Sequence, residues 1–280
     1  MREIRLPKPT GEYAVGTFTY TVRDVRKEVM QQGGMRSVAA RVYYPVLKES
    51  VKDLPEANRS ECYVGAERIA GKRFPLILFN HGYNSYREGN SFLCIDLALH
   101  GYVVICVNHS HEALCTEFDD GTVLFFDQTL AKRMYEPKLG GLIAMLKLTK
   151  EKGSDEELAR KFDEAQRKYC RFLMDRLPEW VKDNEAALAY AKKNLSDLID
   201  FEKGVGVSGH SMGGNAAYAL CARMWRRSGG CRLKPSPIFL RSMRIMIRVR
   251  RRKAWIKYWQ DLSSPGPLII SFWSMMRRSV

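Results

Sequence analysis

Residues 204–214 read Gly-Val-Gly-Val-Ser-Gly-His-Ser-Met-Gly-Gly, between a strand-like and a helix-like stretch. The residues before Gly209 predict a buried strand, and residues 215–220 predict a helix. A serine between two glycines can occupy a sharp, strained turn at such a junction, because the glycines allow the strand and the helix to approach closely. The serine oxygen then stands clear of the sheet, beside the amides of the helix start. We therefore predict that Ser211 is a nucleophile and that Gly209 and Gly213 are the glycines its turn requires.

The order strand, Gly-x-Ser-x-Gly, helix is the nucleophile elbow of the α/β-hydrolase fold. The bare motif arises by chance in roughly one chain in ten of this length, so the prediction depends on the flanking strand and helix. A length of 280 residues with 45% hydrophobic content allows one sizeable α/β domain. The predicted class is α/β. We expect an α/β-hydrolase fold with a mostly parallel sheet, a helical insertion and a C-terminal third that is incomplete or aberrant.

Other segments of the chain fit this fold. Residues 17–25 and 37–44 are rich in Val, Thr and Tyr and predict an antiparallel pair of strands. Continuous apolar runs over 74–79 and 102–107 predict strands buried on both faces, with a helix over 91–100 between them. The polar segment 49–72 is predicted to be a loop.

Nearly a hundred residues separate the strand at 102–107 from the elbow strand. Helical periodicity over 155–177 and 184–199 predicts that this segment contains a helical insertion, at about 122–200. Two interpretations stay open. The insertion either forms a lid over a pocket or packs plainly against the sheet.

The C-terminal 59 residues differ from the rest of the chain in charge. The formal net charge is +15, and residues 222–280 contain fifteen Lys and Arg against Asp261 alone. Residues 1–221 carry 31 basic and 30 acidic side chains. We predict a hydrolase domain over 1–221 and an atypical basic tail over 222–280. The tail is an arm for anionic membrane or nucleic acid, a divergent half-domain, or the product of a shifted reading frame. The abrupt change within a core region favours the third hypothesis.

The catalytic partners of Ser211 are not predicted. In this fold an acid and then a histidine follow the serine, but no histidine follows Ser211 here, and Asp261 is the one later acidic residue. All five histidines precede it: His81, His100, His109, His111 and His210. His109 and His111 follow a predicted strand and are candidate substitute bases, although a structural role is commoner. His81 is expected to shape its loop.

Targeting and metal signals are weak in this sequence. The N-terminus shows no apolar signal-peptide region, and no run reaches the roughly 18 apolar residues of a membrane span. The seven cysteines form no C-x-x-C pair, which argues against a disulfide framework or a zinc site. We expect a cytoplasmic protein.

Five segments, in collinear order across residues 9 to about 221, resemble the plasma-type platelet-activating-factor acetylhydrolases and their bacterial, dienelactone-hydrolase-like α/β-hydrolase relatives. They are residues 9–17, 41–45, 79–83 with Arg87, 95–104 and 209–214. The resemblance implies that Ser211 is the nucleophile and that the backbone amides of Tyr83 and Met212 form an oxyanion hole. The tail shares nothing with this family.

The resemblance also implies an activity. It is that of a serine carboxylic-ester hydrolase, which forms an acyl-enzyme with a small ester or a phospholipid such as 1-alkyl-2-acetylglycerophosphocholine. No metal or organic cofactor is expected. One alternative is a general carboxylesterase; a dienelactone hydrolase is disfavoured because a serine stands where those enzymes have cysteine. The other is a catalytically incomplete pseudo-hydrolase whose basic tail binds membrane or nucleic acid. For the enzyme, no nucleic-acid partner is expected, the tail is a candidate for peripheral membrane contact, and the oligomeric state is not predicted.

Overall fold

The computed structural model describes residues 11–27, 35–54, 62–134, 147, 151, 153–169 and 171–228. Within them the strands are β1 (Ala14–Lys27), β2 (Met35–Val46), β3 (Cys62–Val64), β4 (Leu76–Asn80), β5 (Val103–Asn108), β6 (Cys115–Glu117), β7 (Val123–Phe125) and β8 (Val205–Gly209). The helices are α1 (Ser91–Leu99), α2 (Gln128–Met134), α3 (Asp155–Tyr169), α4 (Arg171–Asn194) and α5 (Met212–Ser228). Short 3₁₀ helices occupy Lys48–Val51 and Phe201–Lys203.

A mixed six-stranded sheet, in the order β3-β1-β2-β5-β4-β8, organises the fold. β2 pairs antiparallel with β1 and with β5, whereas β5, β4 and β8 run parallel. Parallel strands place their carboxyl ends at one edge, which is where α/β sheets form their sites. β6 and β7 form a separate antiparallel pair.

The two faces of the sheet pack against different helices. Successive residues of a strand point to opposite faces. Leu76 and Leu78 of β4 therefore join a cluster with apolar residues of α4 and α5, while Ile77 and Phe79 pack with residues of α1. Every residue of β4 and β5 is buried. Burying each large apolar side chain contributes about 1.5–3 kcal/mol, so these two central strands fix the position of the edge where they end.

The predicted antiparallel pair and both predicted buried strands are confirmed, and the predicted helix between them ends at Leu99. Gly101 follows with φ of 87°, a conformation that suits glycine at a helix end. The loop prediction over 49–72 is wrong in part. Cys62–Val64 forms β3, which pairs parallel with β1, and three residues are too few to show a strand pattern.

The helix boundaries predicted in the insertion are wrong in part. The residues predicted as helix over 155–177 are helical wherever they are described. However, α4 runs from Arg171 to Asn194, so it continues through the gap predicted between 177 and 184 and ends at 194 rather than at 199. The insertion also contains β7 and α2 as well as these helices.

No helix in the described ranges is long and apolar enough to cross a membrane. Of the tail, only 222–228 are described, as the end of α5, so the other tail predictions lie outside these residues.

Candidate active site

Ser211 lies in a two-residue turn between β8, which ends at Gly209, and α5, which begins at Met212. Its φ is 53°, in the left-handed region, which costs a non-glycine residue of order 1–3 kcal/mol. The turn is held because the backbone N–H of His210 donates to the carbonyl oxygen of Asn80 at 2.9 Å. This geometry is the one expected of a nucleophile elbow. The catalytic role of Ser211 itself stays a prediction.

Both predicted elbow glycines lie where no side chain fits. A Cβ at Gly209 would stand 2.3 Å from the carbonyl carbon of Gly213. A Cβ at Gly213 would stand 2.3 Å from the carbonyl oxygens of both Asn80 and His81. Backbone contacts this close require glycine, so the start of α5 lies directly against the end of β4.

The two predicted oxyanion residues lie in neighbouring segments. Met212 begins α5, and the amides in the first turn of a helix have no intrahelical acceptor. Tyr83 lies in the segment that follows β4, where Gly82 packs so closely against His210 that a Cβ would stand 2.7 Å from its Nδ1. Trp180 of α4 packs against Met212 and Tyr83. The structure thus brings the Tyr83 and Met212 segments together beside Ser211, and their role as donors to an oxyanion stays a prediction.

Backbone strain is concentrated at this edge of the sheet. Among the described residues, three non-glycine residues have positive φ: Asn84 at 56°, His111 at 70° and Ser211 at 53°. Each follows the carboxyl end of a different parallel strand, β4, β5 or β8. Such strain persists only where surrounding contacts impose it, and it is commonly found at functional sites.

A buried polar network lies beside the elbow. His109 Nδ1 is 2.8 Å from Asp183 Oδ2, and His109 Nε2 is 3.0 Å from Asn80 Oδ1. The backbone N–H of His109 donates to His81 Nε2 at 3.1 Å, and His81 Nδ1 is 2.7 Å from the carbonyl oxygen of Gly82. The His109 ring also stacks on Trp180, with centroids 3.7 Å apart. Both nitrogens of each imidazole are therefore engaged within the protein.

Burial controls the protonation of these groups. It lowers the pKa of His81 to about 3, with a further contribution from the neighbouring His109. Burial also lowers the pKa of His109, against the opposing effect of the Asp183 carboxylate. For Asp183, burial raises the pKa, but the Arg36 guanidinium and the hydrogen bond from His109 outweigh it and hold this pKa far below its usual range.

Two carboxylates in this region share fully buried Arg36. Its guanidinium contacts Asp183 Oδ2 at 2.7 Å and Glu112 Oε2 at 2.9 Å. Arg26 also pairs with Asp183, and Arg176 contacts Glu112 at 2.6 Å. Removing one partner of such a buried network typically costs about 3–5 kcal/mol, because the remaining charge is left uncompensated.

Aromatic side chains surround Tyr83. Its ring meets Phe126 and Phe172 edge-on, with centroids 5.6 and 6.2 Å apart, and stacks with Trp180 at 6.4 Å. Phe172 and Trp180 belong to α4, and Phe126 follows β7, so all three belong to the insertion. The later part of α4 packs on the sheet, through residues such as Ala187 and Leu188. Helix α4 thus packs against the sheet and also contributes rings to an aromatic wall beside the elbow, formed with Tyr83 and Phe126.

The candidate substitute bases have different surroundings. His109 is fully buried with both ring nitrogens engaged, so it fits the structural role. His111 is buried in a strained conformation beside the same strand end. His81, expected to shape its loop, contacts Gly82 and His109. In the described part of the chain no group of three or more His, Cys, Asp or Glu residues could hold a metal ion.

Sequence reasoning missed the α4 residues at this site. Trp180, Asp183 and Asn184 lie on one helix face, but the predicted helix began at Asn184 and excluded the other two. The spacing i, i+3, i+4 of a tryptophan, an acid and an amide was the available signal. The buried Arg36 had none, because an arginine at the start of a strand usually lies at the surface.

Known proteins resemble this chain at the levels of family and fold. A family model described as platelet-activating factor acetylhydrolase, isoform II, matches residues 52–226. The platelet-activating factor acetylhydrolase of Canis lupus familiaris is 25% identical over 253 residues, covering 76% of this chain and 51% of its own length. That of Bos taurus is 24% identical over 248 residues, covering 75% and 50%. This chain spans about half the length of these curated relatives.

A ferulic acid esterase from Streptomyces cinnamoneus superposes with a TM-score of 0.56 at 22% identity, covering 79% of this chain and 59% of its own. This similarity, with the mostly parallel sheet and the elbow turn, establishes an α/β-hydrolase fold. The family match covers more than half of the chain and includes β4, β5, β8 and most of α5. The chain therefore belongs to the platelet-activating factor acetylhydrolase isoform II family.

Proposed function

We propose that this protein derives from a serine ester hydrolase of the platelet-activating factor acetylhydrolase type, with Ser211 as its nucleophile. The observation that carries the proposal is the strained conformation of Ser211, between a parallel strand and a helix start. Family membership supports the same reaction class. Strain at a single serine is hard to explain by packing alone, since glycine or asparagine would adopt this turn more easily.

The proposed reaction proceeds in two steps. The Ser211 oxygen forms a bond to the ester carbonyl carbon, the bond to the alcohol oxygen breaks, and the serine proton leaves with the alcohol. Water then attacks the acyl carbon, the bond from this carbon to the Ser211 oxygen breaks, one water proton returns to that oxygen, and the acid is released. Amides of Met212 and Tyr83 would donate to the oxyanion in both steps, and one such donor is worth roughly 2.7–4 kcal/mol.

The proposed substrate is an acetyl or other short-chain ester, carried by a phospholipid or a small alcohol. The family description supports an acetyl ester. The aromatic wall of Tyr83, Phe126 and Phe172 supports an apolar group beside the ester. A general carboxylesterase is the alternative. Comparing turnover of a short-chain phospholipid ester with that of a p-nitrophenyl ester of the same acid separates these two activities.

A second candidate, a catalytically incomplete hydrolase, is favoured by a specific observation. No histidine follows Ser211, and the ring nitrogens of His81 and His109 are engaged elsewhere. Loss of the base lowers turnover by about 10⁶-fold in a serine hydrolase. We therefore expect negligible ester turnover from this chain, with any membrane contact arising from its basic tail. Turnover near 1 s⁻¹ or above, a typical enzyme rate, would require a non-standard base, and His111 would be the first to substitute.

A fluorophosphonate probe tests the nucleophile separately from turnover. The oxyanion hole and binding alone leave roughly 10³–10⁴-fold catalysis over water, so slow but specific labelling of Ser211 is expected. Peptide mapping by mass spectrometry should find the adduct on Ser211, and Ser211→Ala should remove it. Ser50→Ala, at an exposed serine, is the matched control. Equal labelling of wild-type protein and Ser211→Ala would reject the assignment.

A further inference from the structure

Helix α4 presents one face to the carboxyl edge of the sheet. Trp180, Asp183 and Asn184 are spaced i, i+3 and i+4, so they lie on the same side of the helix. All three are fully buried. This face lies beside the elbow, in the helix that precedes β8.

Each of the three side chains contacts a different strand end. Asn184 Nδ2 donates to Asn80 Oδ1 at 2.7 Å, at the end of β4. Asp183 Oδ2 lies 2.8 Å from Nδ1 of His109, directly after β5. Trp180 packs against Met212, the residue that begins α5 after β8. One helix face therefore spans all three parallel strands that end at the site.

The strand ends are also joined to one another. Asn80 Nδ2 donates to the carbonyl oxygen of Ser208 at 3.2 Å, which links β4 to β8. His81 accepts from the backbone of His109 and meets the Trp180 ring edge-on at 5.3 Å. A shift of α4 would therefore move residues 80–83 relative to the elbow.

Stability alone does not explain this face. Among the described residues, Trp180 Nε1 and Asn184 Oδ1 are buried without a hydrogen-bond partner, which is unfavourable. Buried ion pairs such as Asp183 with Arg36 are often no more stabilising than apolar packing of the same volume. A connected polar network does, however, specify a single geometry.

We propose that Trp180, Asp183 and Asn184 are positioning residues, which hold the oxyanion segment 80–83 in a fixed place relative to Ser211. They act through Asn80, His109 and Met212 rather than by contact with the reacting atoms. The inference rests on the proposed function, because an oxyanion segment matters only if Ser211 is acylated.

Two variants of the full-length chain test this inference. Asp183→Asn removes the charge that holds His109, and Trp180→Phe reduces the packing on Met212 and Tyr83. Tyr20→Phe is the matched control, because Tyr20 donates to the carbonyl oxygen of Ala187 on the same helix, away from the elbow. For each protein, hydrogen exchange is followed by mass spectrometry, and the rate constant of fluorophosphonate labelling at Ser211 is measured.

We expect faster exchange in peptides covering 80–85 and 208–213 in both site variants, with β1 and β2 unchanged. Labelling should slow by about tenfold or more, since a misplacement of 1 Å can cost about 10²-fold in rate. Tyr20→Phe should leave both measurements near the wild-type values. If Asp183→Asn fails to fold, Trp180→Phe decides.

Three results would overturn the inference: unchanged exchange in 80–85, an equal rise along the whole chain, or a local rise with an unchanged labelling rate. If wild-type protein does not react at Ser211 at all, the proposed function fails. The exchange measurement then decides alone whether α4 holds the segment.

Discussion

Gly213 lies where α5 packs against the end of β4, and one methyl group should disrupt this contact. We expect Gly213→Ala to lower the free energy of unfolding by about 1–3 kcal/mol, the usual range for overpacking, although alanine favours helices elsewhere. Gly206→Ala is the control. A Cβ at Gly206 would come no closer than 3.3 Å, to the side-chain atom Ile77 Cγ1, whereas a Cβ at Gly213 would lie 2.3 Å from backbone oxygens. The φ of Gly206 is also outside the left-handed region. Urea unfolding measures both. A Gly213→Ala protein as stable as Gly206→Ala would show that the elbow and β4 are not tightly packed.

His81 predicts how stability depends on pH. Burial lowers its pKa to about 3 in the folded protein, whereas an unfolded histidine titrates near 6.5. The contribution of His81 to the free energy of unfolding is therefore complete above about pH 6.5, where the imidazole is neutral in both states. It is lost as the pH falls towards 3, because the unfolded chain takes up the proton first. Each such histidine contributes a slope of up to about 1.4 kcal/mol per pH unit.

The measurement for this prediction is urea unfolding of wild-type protein and of His81→Gln at pH 7 and pH 5. Between pH 7 and pH 5, the free energy of unfolding of the variant should fall less than that of wild-type protein. The difference should correspond to a slope of up to about 1.4 kcal/mol per pH unit below pH 6.5, which is the effect of one proton. His100→Gln, at the end of α1, controls for loss of an imidazole. Identical pH dependence in wild-type protein and His81→Gln would contradict burial of a neutral His81.

At the residue scale, the sequence predicts those features that short motifs encode. Ser211 and its two glycines could be placed in a turn because their spacing has a steric reason that is local to five residues. The partners of His109 could not be found in this way. Asp183 and Asn80 are 74 and 29 residues away from it along the chain, and only tertiary packing brings them together.

At the scale of elements, β8 is the last strand of the sheet that the described residues form. It pairs with β4, and no strand of the described residues pairs with its other side. Unpaired edges promote association between chains, and a lysine on an edge strand suppresses it. We expect the 32.2 kDa chain to self-associate as its concentration rises, and Gly206→Lys, at an exposed position of β8, to reduce this. Leu47→Lys, outside the strands, controls for added charge.

Sedimentation velocity over a range of concentrations measures this association. A wild-type chain that stays monomeric would mean that the edge is covered. Equal effects of Gly206→Lys and Leu47→Lys would mean that charge, rather than the edge, controls association.

Strands and helices differ in how well the sequence predicts them here. β4 and β5 were found because strands buried on both faces are continuous apolar runs. The sequence prediction leaves residues 178–183 outside both helices, whereas α4 continues through them. Pro178 lies inside α4, although proline usually ends or kinks a helix.

At the scale of the whole molecule, composition changes abruptly at residue 222, in the second half of the elbow helix α5. The family match ends at residue 226, and the +15 charge of the chain comes almost entirely from residues 222–280. In this fold further strands should follow the elbow helix and carry the acid and the histidine. A shift in reading frame would produce all of these features at one point in the chain.

The nucleotide sequence tests this hypothesis directly. If residues after Ala222 are out of frame, one of the other two frames should encode a near-neutral segment. That segment should contain a buried strand ending in an acidic residue and a later histidine, which completes the order Ser, acid, His. We expect such a frame, and the protein made from it should hydrolyse short p-nitrophenyl esters and label rapidly at Ser211. If neither frame encodes this pair before a stop codon, the basic tail is a genuine segment. Binding to anionic vesicles that weakens as salt is added would then be its expected property, because the attraction is electrostatic and salt screens it.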